Sequence, residues 1–179
     1  IRHIDFSQGN WLILGRTKKI RNEMIEDFLL QEGYWYGRGE HRPISTTILD
    51  AIEIWQRLQH GIAATLPEVK TLYSKIRSKE GIKHGSKKFK KEDDVTYLRR
   101  LEKIGEDIKG EPRIRVSTIH QAKGGECDNV VVLLDLGRLV YKAYVKNPED
   151  EHRVFYVAVT RAKENLYLVE AQRQEGYLI

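Results

Sequence analysis

Val130-Val131-Val132-Leu133-Leu134 is the longest uninterrupted run of branched aliphatic side chains in the chain. Five consecutive β-formers with no polar alternation suit a strand buried on both faces, which is the habit of parallel sheets covered by helices. Upstream, Ile114-Arg115-Val116-Ser117 is a shorter strand, and downstream Leu166-Tyr167-Leu168-Val169 closes the pattern. Between them, Val154, Phe155, Val157 and Ala158 put an apolar face on a helix over 151–162. At the other end of the chain, Trp11-Leu12-Ile13-Leu14 runs into Gly15. A helix follows through Ile20, Met24, Ile25, Phe28 and Leu29 to a stop at Gly33, and Tyr34-Trp35-Tyr36 is a second short strand. Strand and helix alternate, so the class is α/β: a parallel sheet flanked by helices.

The middle of the chain breaks this rhythm. Ile48, Leu49, Ile52, Trp55 and Leu58 form a helical stripe, Val69, Leu72, Tyr73 and Ile76 a second, and Val95, Leu98, Leu101, Ile104 and Ile108 a third that Gly110 closes. Residues 1–40 and 110–179 therefore read as one α/β domain, and 41–109 as a helical insertion. Charge divides the same way. Residues 41–110 carry 15 basic and 10 acidic side chains, whereas the flanking regions balance, so the whole net charge of +5 lies there. Its densest part, Lys83 to Lys91, includes Lys87, Lys88 and Lys90 and no acid, which suits contact with a polyanion.

Composition excludes several classes. One cysteine, Cys127, permits neither a disulfide framework nor a cysteine-built zinc site, and no constellation of metal ligands is expected. No apolar run approaches the roughly 20 residues that span a bilayer. With no signal-peptide layout at the first residues, the expected setting is intracellular and cytoplasmic.

Two segments carry more chemistry than a fold requires. Ser117-Thr118-Ile119-His120-Gln121-Ala122-Lys123-Gly124-Gly125-Glu126 lies between two strands and combines hydroxyls, an imidazole, an amide, glycines and a carboxylate. That composition suits a ligand-binding loop at a sheet edge, although an ordinary polar loop would also accommodate it. Tyr156-Val157-Ala158-Val159-Thr160-Arg161-Ala162-Lys163 ends an apolar helix abruptly in Thr-Arg. Such an arginine either pairs with an acid or offers its planar fork of donors to a phosphoryl group.

Together with Glu151-His152-Arg153-Val154-Phe155, these segments resemble motifs V and VI of the UvrD/Rep/PcrA helicases of superfamily 1, and Leu12-Ile13-Leu14-Gly15-Arg16-Thr17 resembles their motif IV. The resemblance implies the second RecA-like domain of such a motor, with residues 41–109 as a reduced counterpart of the family's inserted 2B subdomain. It implies that Arg16 and Arg161 reach the γ-phosphate of ATP, Arg161 as the finger, and that Glu126 contacts the nucleotide sugar with Gly124 shaping the same turn. Thr118 and His120 would lie towards single-stranded DNA, in a protein of DNA repair or replication. Gly15 stands where the family usually has an aromatic that stacks on adenine.

Nowhere in the chain is there a Gly-x-x-x-x-Gly-Lys-Ser/Thr loop or an acidic Walker B pair. The expected partner is therefore an N-terminal RecA-like domain holding most of the Mg²⁺ and ATP contacts, without which this chain should not hydrolyse ATP. A different class also fits the basic insertion: a non-catalytic nucleic-acid-binding or interaction module, with Trp35, Tyr36, Phe89 and Tyr97 as stacking platforms and Trp55 and Tyr73 left to packing. A nuclease is disfavoured, since no carboxylate cluster suits two metals.

Overall fold

The structure is a computed structural model that describes residues 1–77, 83–84, 87–88, 91–108, 110–122 and 125–179. In chain order the elements are β1 (Trp11–Gly15), α1 (Lys18–Ile20), a π-helical stretch (Arg21–Glu26), α2 (Asp27–Glu32), β2 (Tyr36–Gly37), α3 (Thr46–Gln59), α4 (Leu66–Arg77), β3 (Lys83–His84), β4 (Lys87–Lys88), α5 (Lys91–Ile104), β5 (Ile114–Thr118), β6 (Cys127–Leu133), α6 (Arg138–Lys146), α7 (Pro148–Val159) and β7 (Ala162–Val169). Five strands form one parallel sheet in the order β2-β5-β1-β6-β7, as the unbroken apolar runs of β1 and β6 require.

Alternation along the central strands feeds two cores. Trp11, Ile13, Val131 and Leu133 join Ile114, Val116, Ile25, Leu29 and Trp35 on one face, where Tyr97 and Leu101 of α5 and the buried Ile44 complete the cluster. Leu12, Leu14, Val130 and Val132 face the other way, against Ile119, Ala122, Cys127, Phe155 and Ala158. The Tyr97 hydroxyl donates to the Tyr34 carbonyl at 2.8 Å, so α5 is tied to the α/β layer by a hydrogen bond as well as by burial.

Local signals set the element ends. Thr17 caps the first helix by accepting from the Ile20 amide at 3.2 Å. Gly33 closes α2 in the left-handed region at φ +84, with its own N–H and that of Tyr34 both returning to the Leu29 carbonyl. Pro148 opens α7, with Glu149, Asp150 and Glu151 in its first turn complementing the helix dipole.

Several expectations need correction. The third helix of the middle region stops at Ile104, because Gly105 at φ +75 turns the chain there; Ile108 and Gly110 lie beyond it. Among the described residues the middle region also contains the short antiparallel pair β3–β4, which lysine-rich sequence with no apolar alternation does not signal. The last helix begins at Pro148 rather than Glu151, and Ala162 already belongs to β7. The aromatic assignments reverse. Trp35, Tyr36 and Tyr97 are buried in the core and unavailable for stacking, whereas Trp55 and Tyr73 are about half exposed. Phe89 lies outside the described residues.

Asp135 follows β6 and is wholly buried. One carboxylate oxygen accepts from the Gln172 amide at 3.1 Å, and the other has no hydrogen-bond partner. Desolvation raises its pKa above the ordinary value. A carboxyl raised in the folded state stabilises fully below its unfolded pKa, and that contribution is lost as pH rises through the folded value. Asp135→Asn is therefore expected to flatten the fall of Tm that sets in as pH rises above about 4, as followed by thermal melts.

Candidate functional site: two edges of one sheet

In a parallel sheet all carboxyl ends lie at one edge and all amino ends at the other, and the chemistry-bearing residues divide between the two. At the carboxyl edge, Arg16 leaves β1 and His120 follows β5. Arg16 makes a two-pronged ion pair with Glu151 of α7, one prong through Nε to Oε1 and the other from Nη2 to Oε2 at 3.1 Å. Only 17% of the Arg16 side chain and 7% of the Glu151 side chain are exposed, so this charge is already matched in a partly dry setting. Arg16 Nη1 also lies 3.5 Å from His120 Nδ1.

Thr118 is buried rather than presented to solvent, and its hydroxyl donates to Gln121 Oε1 at 3.0 Å. The same oxygen accepts from Arg21 Nη1 at 3.3 Å. His120 and Gln121 are the exposed side chains of this turn. Arg21 belongs to the π-helical stretch, and its Nε lies 3.2 Å from Glu26 Oε1. On an α-helix, residues five apart point about 140° away from each other. The wider π turn, in which the Asp27 amide bonds back to the Asn22 carbonyl, allows Arg21 and Glu26 to face each other. Arg38 Nη1 reaches the same carboxylate at 2.8 and 3.2 Å.

At the amino edge, Arg161 ends the turn between α7 and β7. Its carbonyl accepts from the Cys127 amide at 3.0 Å, which holds it next to Glu126. The Arg161 Nε donates to the Val157 carbonyl at 3.0 Å and Nη2 to Thr160 Oγ1 at 3.2 Å. Among the described residues no carboxylate pairs with it. Glu126 is exposed and lines a cleft of about 240 Å³ with Asn10, Arg113, Arg115, Asp128 and Lys163.

The two arginines are therefore not neighbours. Leu14 is level with Val132 and Val132 with Leu168. Arg16 lies two residues above that level and Arg161 seven below it. At about 3.3 Å per residue the separation along the strands is on the order of 25 Å or more, too far for both side chains to hold one phosphate. The shared γ-phosphate role expected of them fails on this geometry. The structure brings Arg161 to Glu126 and Arg16 to His120, with Thr118 turned inward.

The remaining expected positions are less informative. Gly124 and Lys90 lie outside the described residues, while Lys87 and Lys88 are described only as the backbone of β4. Gly15 is buried at the end of β1, where an added Cβ would meet the Arg21 amide nitrogen at 3.1 Å and Ile20 Cγ2 at 3.3 Å. An aromatic ring has no room there. Nothing in the sequence singles out Gln121, because the π turn that holds it leaves no trace in apolar spacing.

A family model for the UvrD-like helicase C-terminal domain matches residues 12–173. The chain belongs to that family. No curated protein matches it. The UvrD-like C-terminal domain accounts for the RecA-like α/β sheet and for a helicase context. Among the described residues of this domain no group of side chains is arranged to hold a metal ion, and no helix is long and apolar enough to cross a membrane.

Proposed function

We propose that this UvrD-like C-terminal domain is the arginine-bearing half of an ATP-driven DNA helicase or translocase, with nucleotide at its amino edge and single-stranded DNA at its carboxyl edge. The observation that carries the reading is Arg161: a half-buried guanidinium with no carboxylate among the described residues, bonded through its backbone to the residue after Glu126. Such a group is poised to receive an anion brought by another domain. When a phosphate-binding domain closes on this edge, Arg161 meets the γ-phosphate and Glu126 the ribose. An arginine placed this way is worth about 10³ to 10⁵ in rate.

The segment from Thr118 to Glu126 links the edges. It leaves β5 at the carboxyl end and enters β6 at the amino end, so a shift imposed at the nucleotide is carried along the chain to His120 and Gln121. Gating by domain closure then couples hydrolysis to a change in DNA grip. Mg²⁺ and the phosphate-binding loop belong to the partner RecA-like domain, since these 179 residues hold no such loop.

The test is ATP turnover by this domain joined to a phosphate-loop domain, with and without single-stranded DNA. Stimulation by DNA supports the motor. Binding of DNA with no turnover would leave the non-catalytic module.

A further inference from the structure

A larger cleft, of about 440 Å³, opens where α3 meets the α/β layer. Trp35, Ile44 and Leu49 give it an apolar floor, on which Trp35 and Ile44 are almost wholly buried. Its charged lining consists of Arg42 and four exposed carboxylates, those of Glu40, Asp50, Glu53 and Glu111. Arg42 pairs with Glu111 at 2.8 Å, so the remaining charge on the lining is wholly negative. Asp50 and Glu53 are three residues apart on α3 and therefore share one face of that helix. These acids run against their surroundings, because residues 41–110 carry the chain's whole positive excess. A polyanion held by that region is repelled from the cleft, and a cation is drawn in.

The lining narrows the kind of cation. Among the described residues no acids converge as a metal ion requires. Acids spread round an apolar floor suit a basic side chain, which lays its aliphatic stem on such a surface and keeps its charge at the rim. A guanidinium fits best, since its five donors fan out in a plane and serve separated carboxylates together. Trp35 adds a second demand. Its side chain is 1% exposed and lines the cleft, and its indole Nε1–H has no hydrogen-bond acceptor. An unpaired buried donor is costly, so an acceptor carried in beside the cation is favoured. A peptide brings both a basic side chain and backbone carbonyl oxygens. A polyamine brings charge and no acceptor.

We propose that this cleft docks an extended, arginine-bearing segment of a partner protein, with its guanidinium among Glu40, Asp50 and Glu53 and a backbone carbonyl accepting from Trp35 Nε1. The cleft shares no lining residue with the one beside Glu126, and the assignment stands whether or not the chain works as a motor.

The experiment is a titration of the ¹⁵N-labelled full chain with acetyl-Ala-Arg-Ala-amide, read by NMR on the indole N–H signals of its three tryptophans. Trp35 is the reporter. Trp11, whose Nε1 already donates to the Gln8 carbonyl at 2.7 Å, is the internal control. The Trp35 signal should move downfield and saturate while that of Trp11 stays in place. The double variant Glu40→Gln/Asp50→Asn changes only exposed side chains, so the fold is expected to hold. It should bind the peptide about 10-fold more weakly. Acetyl-Ala-Glu-Ala-amide and putrescine should both leave the Trp35 signal in place, the first for its charge and the second for want of an acceptor. A stationary Trp35 signal, an equal response to the glutamate peptide, or unchanged affinity in the double variant overturns the assignment. A downfield shift with putrescine overturns it in favour of a bare cation.

Discussion

Arg161→Ala in the full motor is expected to lower ATP turnover by about 10³-fold while leaving affinity for single-stranded DNA within about twofold. The asymmetry follows from placement. Arg161 stands at the amino edge with its charge unmatched by any carboxylate among the described residues, far from the turn that carries His120 and Gln121. Arg161→Lys should recover little, because an ammonium cannot present two parallel donors to a phosphoryl group while also holding the Val157 carbonyl. Steady-state turnover and fluorescence binding on the same preparations read both quantities. An exposed ion-pair arginine, worth about 1 kcal/mol or less, would cost at most several-fold.

Glu26→Ala is expected to be the most damaging single change to stability, by about 3–5 kcal/mol in urea unfolding. The carboxylate is wholly buried and holds Arg21 at 3.2 Å and Arg38 at 2.8 Å. Its removal leaves the 7% exposed Arg21 guanidinium without a counter-charge and beside Arg38, which keeps 28% exposure. Glu26→Gln keeps the shape and two hydrogen-bonding atoms and should cost less. The Ala variant should also loosen Gln121, since Arg21 would no longer be held towards it.

The α/β class was legible because β1 and β6 are buried on both faces, and such strands cannot hide their apolar content. Gly33 was legible for a different reason: only a left-handed stop explains a glycine directly after a helical stripe. The middle region was harder. A stripe such as Trp55 to Leu58 reads as core by spacing, yet Trp55 and Tyr73 face outward. Spacing reports which side chains share a helix face, not whether anything covers that face. The apolar content of α6 was passed over because its Leu139 and Val145 are exposed and interleaved with lysines.

At the site, motif order identified the loops but not the edges. Arg16 and Arg161 look alike in sequence, each at the end of an apolar segment. The sequence puts one after a strand and the other before one, and the parallel register adds how far apart along the sheet that sets them. Gln121 was hidden for a related reason. Its orientation depends on Arg21, 100 residues earlier, and on a π turn that lets a buried carboxylate five residues on face that arginine.

The account rests on the two edges being two different sites, and the most direct test compares Arg16→Ala with Arg161→Ala in one protein. Turnover at saturating DNA and affinity for single-stranded DNA would be measured for both. Arg161→Ala should lose turnover and keep DNA affinity. Arg16→Ala, which frees Glu151 beside His120, should weaken DNA binding by about 10-fold and keep most of the turnover once DNA saturates. Equal collapse of turnover in both variants with DNA binding intact would place both arginines on one phosphate and contradict the separation of the edges.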